Sequence, residues 1–243
     1  MTTLLLRLDG PLQAWGTASR FGTRDTGREP SKSGVIGLLC AALGKPRSER
    51  SGDGFPTLAQ FARLRMGVRV DREGVVQRDF HTVGGGMGSG AADVVSTRYY
   101  LADARFLVGL EDNEDGELLR RLDAALARPM WQLCLGRRAF VPAAPVRLPD
   151  GLREQPLETA LREYPPLDAG SAERRPGARP PGSGQVRLVI EDPAGEAVRQ
   201  DVPLSFNPAA RRFALRRVRM EFFTPLAAVP VGVVDEETDT DEE

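Results

Sequence analysis

The first part of the chain contains two apolar segments separated by a polar loop. Residues 3–8 (TLLLRL) form a short apolar run that ends at Asp9-Gly10-Pro11, which predicts a buried first strand. The run that follows Ser33 (GVIGLLCAALG) is apolar almost all round, which predicts a buried helix. Ser33 is the expected N-cap of this helix, and Gly44 is its expected C-terminal glycine.

Three further segments and an insertion follow. Residues 64–70 alternate with a period of two, which predicts a half-buried strand, and residues 105–110 predict another strand. Residues 114–129 have the pattern of an amphipathic helix. Between the two strands lies an insertion whose halves, 75–83 and 94–101, are strand-like and are joined by a glycine-rich tip. The insertion is therefore predicted to be a projecting β-hairpin.

The order of these elements predicts an α+β fold. Strand, helix, strand, hairpin insertion, strand and helix make up most of a ferredoxin-like βαββαβ unit, the architecture of RNA-recognition motifs. We expect this domain to occupy residues 1–146, with the hairpin at about 75–101.

The remaining residues are expected to form a smaller, β-rich C-terminal part over 147–234. Residues 185–190 and 215–223 are strand-like. Residues 165–184 are rich in Pro, Gly and Arg, which indicates a linker or a mobile loop. Residues 235–243 (DEETDTDEE) are expected to be a disordered acidic tail.

The charge is distributed unevenly along the 243 residues. The chain has 33 Lys and Arg against 34 Asp and Glu, but the acidic tail holds seven of the acids, so the other residues carry 33 bases against 27 acids. Only two of the bases are lysines. Arginine favours planar, bidentate recognition of phosphate, although a GC-rich genome also raises the arginine content.

Several function classes are excluded or disfavoured. No apolar run approaches the roughly 20 residues of a membrane helix, and the N-terminus lacks a cationic leader, so we expect a cytoplasmic protein without membrane contact. One His and two distant Cys do not make a typical zinc site, and the chain has no P-loop, EF-hand loop or G-x-S-x-G. We therefore expect no metal, no cofactor and no enzyme of these classes.

Cations and aromatic residues are interleaved in several places. Trp15, Arg24 and Lys32 lie in or beside the first loop, which leads to a helix N-terminus, and residues 199–219 carry six Arg against one Asp. Such mixtures bind single-stranded RNA, although each patch taken alone is more often a solvated surface. A generic interaction module without RNA contact is an open alternative.

Four motifs occur in a fixed order between residues 3 and 146. They are LLLRLDGPLQAWG, TRDTGREPSKSGVIGLLCAALG, RDFHTV and CLGRRAFVP. Together they closely resemble the CasD-type subunit of Cascade, the type I-E CRISPR surveillance complex.

The resemblance implies a non-catalytic subunit of an antiviral ribonucleoprotein. Members of this family are similar to RNA-recognition motifs with a thumb-like hairpin, and they grip the 5′ handle of the CRISPR RNA. The thumb caps one end of the filament of backbone subunits, and the large subunit docks close by. Target DNA is contacted only indirectly, because the guide RNA reads its sequence.

The resemblance also implies a set of RNA-contacting residues. Arg24, Lys32, Arg137 and Arg138 are expected to neutralise handle phosphates, and Ser33 to donate at the helix start. Trp15 either stacks on a base or packs in the core, and His81 either contacts RNA or satisfies a backbone carbonyl. The full expected set is Gln13, Trp15, Arg24, Lys32, Ser33, His81, Thr82, Arg98, Arg137 and Arg138, of which Arg98 is included on charge and position only.

A nuclease is the alternative. A related type I-C subunit cleaves precursor CRISPR RNA without metal, using a tyrosine, a lysine and a histidine. Here Tyr99 or Tyr100, Lys32 and His81 are the corresponding candidates. General acid–base cleavage requires these groups within hydrogen-bond reach of the reacting oxygens, and the sequence does not establish such an arrangement.

Overall fold

A computed structural model describes residues 1–17, 22–50, 52–83, 94–167 and 184–225. The strands are β1 (Thr2–Asp9), β2 (Leu12–Gln13), β3 (Thr23–Arg24), β4 (Arg65–Arg72), β5 (Val75–Val83), β6 (Val94–Ala102), β7 (Arg105–Asp112), β8 (Arg147–Arg153), β9 (Val186–Glu191), β10 (Ala197–Ser205) and β11 (Arg212–Phe223). The helices are α1 (Lys32–Leu43), α2 (Leu58–Ala62), α3 (Glu117–Ala127) and α4 (Leu157–Glu163).

Seven strands form one sheet in the order β10-β11-β9-β4-β7-β1-β8, and every neighbouring pair is antiparallel. The α+β class expected from the sequence is confirmed. Strand β8 lies beyond the expected boundary at residue 146 yet pairs with β1, and β9 to β11 extend the sheet from β4. The strands after residue 146 therefore continue the first sheet, and the division into residues 1–146 and 147–234 stays a prediction.

The sheet has a core on both faces. Leu4, Leu6 and Leu8 of β1 point to the face covered by α1 and α3, while Leu5 points to the face covered by α4. Because both faces are covered, β1 is a continuous apolar run rather than an alternating one. This burial explains the segment TLLLRL.

Strand β4 is buried on both faces, so the half-buried strand expected at residues 64–70 is wrong. Val68 packs in the core on the α1 side, and Arg69 on the opposite face is fully buried. The guanidinium of Arg69 donates hydrogen bonds to the carbonyls of Leu161 and Tyr164, at the end of α4, and to the carboxylate of Asp71. The missed helix α4 covers this face, and Arg69 satisfies its last carbonyls.

The expected N-cap of α1 is wrong by two residues. Ser31, not Ser33, has extended backbone at the helix start, and its hydroxyl accepts a hydrogen bond from the Gly34 amide at 3.3 Å. The expected C-terminal glycine is confirmed: Gly44 has φ +75°, and its amide donates to the carbonyl of Ala41.

A second sheet contains the inserted hairpin. β5 and β6 pair antiparallel over nine residues each, and β6 also pairs with β2 and with β3. Residues 84–93 between these two strands lie outside the described residues. Most of the 165–184 segment and the whole acidic tail at 235–243 also lie outside them.

No helix in the described part of the chain is both long and apolar enough to cross a bilayer. Within the same residues, no three His, Cys, Asp or Glu side chains come together as a group that could hold a metal ion.

Candidate nucleic-acid interface

Gln13 and Trp15 are buried structural residues. The Gln13 amide donates to the carbonyls of Leu8 (3.2 Å) and Ala104 (2.8 Å), and its oxygen accepts the indole N–H of Trp15 at 3.0 Å. Trp15 is only 1% exposed, and Gln13 is completely buried. Stacking of Trp15 on a base and RNA contact by Gln13 were therefore wrong expectations, because neither side chain reaches the surface. Of the two alternatives for Trp15, core packing is correct.

Lys32 is buried in an ion pair instead of facing a phosphate. Its side chain is 0% exposed, and its ammonium donates to both carboxylate oxygens of Glu191 (2.9 and 3.0 Å) and to the carbonyl of Ala62 (2.7 Å). Burial lowers the pKa of Lys32, against the opposing effect of Glu191. The expectation that Lys32 neutralises a handle phosphate is wrong, because its three donors are already used inside the protein.

The N-terminus of α1 already holds an internal anion. The amide of Lys32 donates to the Asp201 carboxylate at 2.8 Å, and Arg216 donates two hydrogen bonds to the same carboxylate at 2.6 and 2.9 Å. Helix N-termini attract anions, and here the anion is a side chain of β10. Ser33, the second residue of α1, is half-buried, with its hydroxyl oxygen 3.5 Å from that of Ser31.

Three arginines from three segments form what we call the arginine cluster: Arg24, Arg98 and Arg137. Arg24 of β3 lies opposite Arg98 of β6 in the parallel pairing. The Arg137 guanidinium donates to the carbonyls of Tyr99 (2.7 Å) and Arg24 (3.4 Å), which holds it against both strands. The sequence-predicted residues Arg24, Arg98 and Arg137 are thus brought together.

The arginine cluster concentrates positive charge. Burial, followed by the charges of Arg98 and Arg24, lowers the pKa of Arg137, and these effects outweigh the opposing influence of Asp25 and Asp79. A bound phosphate would offset the repulsion among the guanidinium groups and accept their remaining hydrogen bonds. The cluster is therefore chemically suited to a phosphate backbone.

A tight turn positions Arg137. Gly136 has φ +91°, and a Cβ atom there would lie 1.8 Å from the carbonyl oxygen of Ala14, so only glycine fits. The turn is closed by hydrogen bonds from the Leu135 amide to the Phe140 carbonyl (2.7 Å) and from the Phe140 amide to the Arg137 carbonyl (2.9 Å). The guanidinium of Arg137 lies 5.5 Å from the centre of the Phe140 ring.

The two expected hairpin residues lie on opposite faces of the hairpin. His81 pairs with Ser96, and strand alternation puts it on the same face as Arg98. Thr82 pairs with Val95 on the other face. His81 is about half exposed, and its Nδ1 lies 3.7 Å from a carboxylate oxygen of Asp79. The structure thus brings His81, but not Thr82, to the face of the arginine cluster.

A groove of about 980 Å³ lies next to the arginine cluster, and we call it the basic groove. Its lining includes the small residues Ser33, Gly34, Gly37 and Ala41 of α1, the cations Lys45, Arg47, Arg138 and Arg211, and the large residues Met130, Trp131, Phe206 and Phe213. No Asp or Glu occurs among its described lining residues. Arg138, predicted from the sequence, faces this groove instead of the cluster.

The backbone at Met130 and Trp131, on one side of the groove, is fixed to the end of α1. The amides of Met130 and Trp131 donate to the carbonyls of Ala42 (2.9 Å) and Ala41 (3.2 Å) in the last turn of α1, and the Ala41 carbonyl also accepts from Gly44. Trp131 is 49% exposed and Met130 is more exposed still. The backbone is held firmly, and a large aromatic side chain stays accessible in the groove.

Sequence reasoning did not select most of this groove. Arg47, Trp131, Phe206 and Phe213 were not among the expected contacts, and Arg211 was noticed only as part of an arginine-rich stretch. The available signal was Trp131 itself, six residues before Arg137 in RPMWQLCLGRR. Cys40 and Cys134 also line the groove as free thiols, and burial raises the pKa of Cys40 to about 12 and that of Cys134 above its usual value.

Comparison with known proteins gives a consistent match. The profile of a family described as CRISPR-associated protein (Cas_Cas5) matches residues 3–219. A curated relative, the CRISPR system Cascade subunit CasD of Escherichia coli (strain K12), is 37% identical over 174 residues, which cover 68% of this chain and 77% of the relative.

Two solved structures have the same overall fold. One, described as a crystal structure of a Cas protein, has a TM-score of 0.70 and 43% identity, covering 91% of this chain and 95% of its own. The other belongs to a CRISPR RNA-guided surveillance complex and has a TM-score of 0.68 and 34% identity, covering 92% of this chain and 90% of its own.

Proposed function

The chain belongs to the CRISPR-associated protein (Cas_Cas5) family, and from this premise we propose that it is a non-catalytic RNA-binding subunit of a type I-E CRISPR surveillance complex. Its ligand would be the 5′ handle of the CRISPR RNA. It would act in antiviral defence in the cytoplasm and would meet target DNA only through the guide RNA.

The arginine cluster is the observation that carries this proposal. Arg24, Arg98 and Arg137 converge from three separate segments, and their mutual repulsion favours an anionic ligand. Lys32 cannot belong to the interface, because Glu191 already pairs with it in the interior. The RNA-contacting set that we propose is therefore Arg24, Arg98, Arg137, Arg138 and His81, with Ser33 at the groove floor. Thr82 is left out of this set, because it lies on the far face of the hairpin.

The strand order supports a ferredoxin-like assignment for the first unit. Strands β4, β7, β1 and β8 are adjacent and antiparallel, so the second, third, first and fourth strands of the βαββαβ unit lie side by side. Helices α1 and α3 pack together on one face. We infer that this unit is the RNA-recognition-motif-like domain and that the β5–β6 hairpin is its thumb.

The apolar face of the hairpin suits protein contacts. Phe80 and Val95 are each about 60% exposed, and Val76 is also exposed on the same face. Exposed apolar side chains of this kind mark interaction surfaces. We propose that this face caps the filament of backbone subunits while the opposite face meets RNA, and that the large subunit binds nearby.

The buried state of Lys32 disfavours the nuclease alternative. Metal-free cleavage in the related type would need a lysine near His81 and Tyr99 or Tyr100, but Lys32 is engaged with Glu191 and Ala62 inside the core. A general acid or base must reach the reacting oxygens, which a fully buried ammonium cannot do. Binding without catalysis therefore fits these residues better than cleavage does.

Co-purification tests the proposal directly. We expect the tagged protein, expressed in its native host, to retain mature CRISPR RNAs that share one 5′ handle, together with backbone and large subunits. The variant Arg137→Ala should retain less RNA, and Arg120→Ala, which removes one exposed positive charge from α3, should retain as much as the unmodified chain. Recovery of the protein without RNA and without partners would contradict the proposal.

A further inference from the structure

We propose that the basic groove is a separate subsite that holds an unstacked base of the same RNA strand against Trp131. This inference rests on the proposed RNA-binding function and adds a stacking residue to it. The ligand class is a single-stranded ribonucleotide segment, with its phosphates at Arg47, Arg138 and Arg211.

The groove has the composition of a single-strand binding site. Its rim carries three exposed arginines, which come from the loop after α1, from the turn after Gly136 and from the residue before β11. The absence of acids from its described lining favours an anion. Proteins that bind single strands combine such cations with aromatic side chains on which bases stack.

The Trp131 side chain is accessible for stacking and leaves from an anchored backbone. The amide of Trp131 bonds to the last turn of α1, which fixes the main chain, and about half of the residue's surface is open. Phe206 and Phe213 line the same groove from the β10–β11 connection and the start of β11. A tryptophan side chain has only two rotatable bonds, so on an anchored backbone it loses little conformational entropy when a base binds.

The floor of the groove admits close approach. Gly37 of α1 leaves the helix backbone uncovered there, and a Cβ added at this position would meet no atom within 4 Å, whereas Gly34 is packed against the ring of Trp15. The groove volume of about 980 Å³ lies at the upper end of the range of ligand sites, roughly 300 to 1,000 Å³. A base and its neighbouring phosphates therefore have room in the groove.

The groove adjoins the arginine cluster at one turn. Arg137 belongs to the cluster and Arg138, the next residue, lines the groove, so a strand bound at one surface can reach the other across a single turn. This proximity favours RNA over a protein segment as the occupant. A protein partner is the outcome that would overturn the inference.

The test uses the full chain and short single-stranded oligoribonucleotides that carry 2-aminopurine at one position. We expect the fluorescence of 2-aminopurine to be quenched at one position on binding, and the quenching to be lost in Trp131→Ala. Affinity for the unlabelled strand should fall between about fivefold and a hundredfold, with an unchanged salt slope, because stacking and not charge is removed. Phe222→Ala, which removes an exposed aromatic side chain from β11 outside the groove, is the matched control and should bind normally.

The outcomes separate the two proposals. If Arg137→Ala weakens RNA binding but Trp131→Ala does not, the subsite is wrong and the RNA-binding function stands. If neither variant changes RNA binding, the proposed function fails as well. If Trp131→Ala reduces the retention of a protein subunit and leaves RNA affinity intact, the groove holds protein and the inference is overturned.

Discussion

Arg137 and Arg138 are consecutive residues that serve two different surfaces. The guanidinium of Arg137 donates a hydrogen bond of 2.7 Å to the carbonyl of Tyr99 and lies in the arginine cluster, whereas Arg138 lines the basic groove. The left-handed backbone at Gly136 sets the turn from which both side chains leave. One turn thus connects the arginine cluster with the basic groove.

The two arginines are expected to respond differently to substitution by alanine. Arg138 is exposed, so Arg138→Ala should weaken binding to single-stranded RNA and reduce the log–log salt slope by about 0.7, with no change in unfolding. Arg137→Ala should have the same effect on the slope and should also loosen the hairpin, since the bond to Tyr99 is lost. Binding at several salt concentrations, together with hydrogen exchange of β5 and β6, measures both effects. Equal exchange in the two variants would contradict the structural role of Arg137.

Most of the fold could be predicted from the sequence, and the exceptions have physical reasons. Several segments have an apolar run or a hydrophobic period that predicts one type of element. These segments are β1, β4, β7, the two hairpin strands and α1. Strand β8 was missed because Pro149 and Gly151 interrupt its pattern, and α4 was missed because seven residues give less than two full periods. Missing α4 also led to the wrong expectation of a half-buried strand at residues 64–70, because that helix covers the face on which Arg69 is buried.

The candidate site was predicted less completely, because a motif does not distinguish surface from interior. Gln13, Trp15 and Lys32 occur in the recognised motifs, yet each supports the fold from inside. Arg24, Arg98 and Arg137 were each expected as RNA contacts, and the structure places these three residues together, which the sequence did not predict. Trp131 was missed because its exposure depends on the loop docked at the end of α1, which no local pattern reveals.

Two glycines should show opposite responses to alanine. At Gly136 the new Cβ would collide with the Ala14 carbonyl in a left-handed backbone, so Gly136→Ala should destabilise the protein and reduce RNA binding. Gly37 lies inside α1 with open space around it, so Gly37→Ala should raise the free energy of unfolding by about 0.5–1 kcal/mol. Urea denaturation measures both effects. A Gly37→Ala variant that is less stable than the unmodified chain would contradict the open space at this position.

Gly37 also lines the basic groove. A stable Gly37→Ala variant that binds RNA more weakly would therefore support the proposed subsite.

The buried pair of Lys32 and Glu191 is expected to be energetically coupled. Lys32→Met leaves the Glu191 carboxylate without its main partner and should reduce the free energy of unfolding by roughly 3–5 kcal/mol. Adding Glu191→Gln removes the unpaired charge while keeping an acceptor for the Met66 amide, so the double variant should lose less than the sum of the single variants. Urea denaturation of the four chains gives the coupling, and strict additivity would show that the pair does not act as a unit.

Glu29 is expected to make the stability depend on acid pH. Burial acts to raise its pKa, but hydrogen bonds and charge from Arg187 and Arg199 outweigh this and bring the pKa below the usual value of 4.5. Because the folded-state pKa is lower than the unfolded one, the unfolded chain binds the proton first, and the contribution of Glu29 is fully present above the unfolded pKa. It is lost as the pH falls through the folded pKa.

Comparison of Glu29→Gln with the unmodified chain measures this contribution. We expect the variant to be less stable at pH 7, where the carboxylate is charged, and the difference in the free energy of unfolding to shrink as the pH falls below about 4.5. Urea denaturation across this range gives the difference at each pH. A gap that stays constant or widens on acidification would mean that Glu29 supports the fold through packing instead of through its charge.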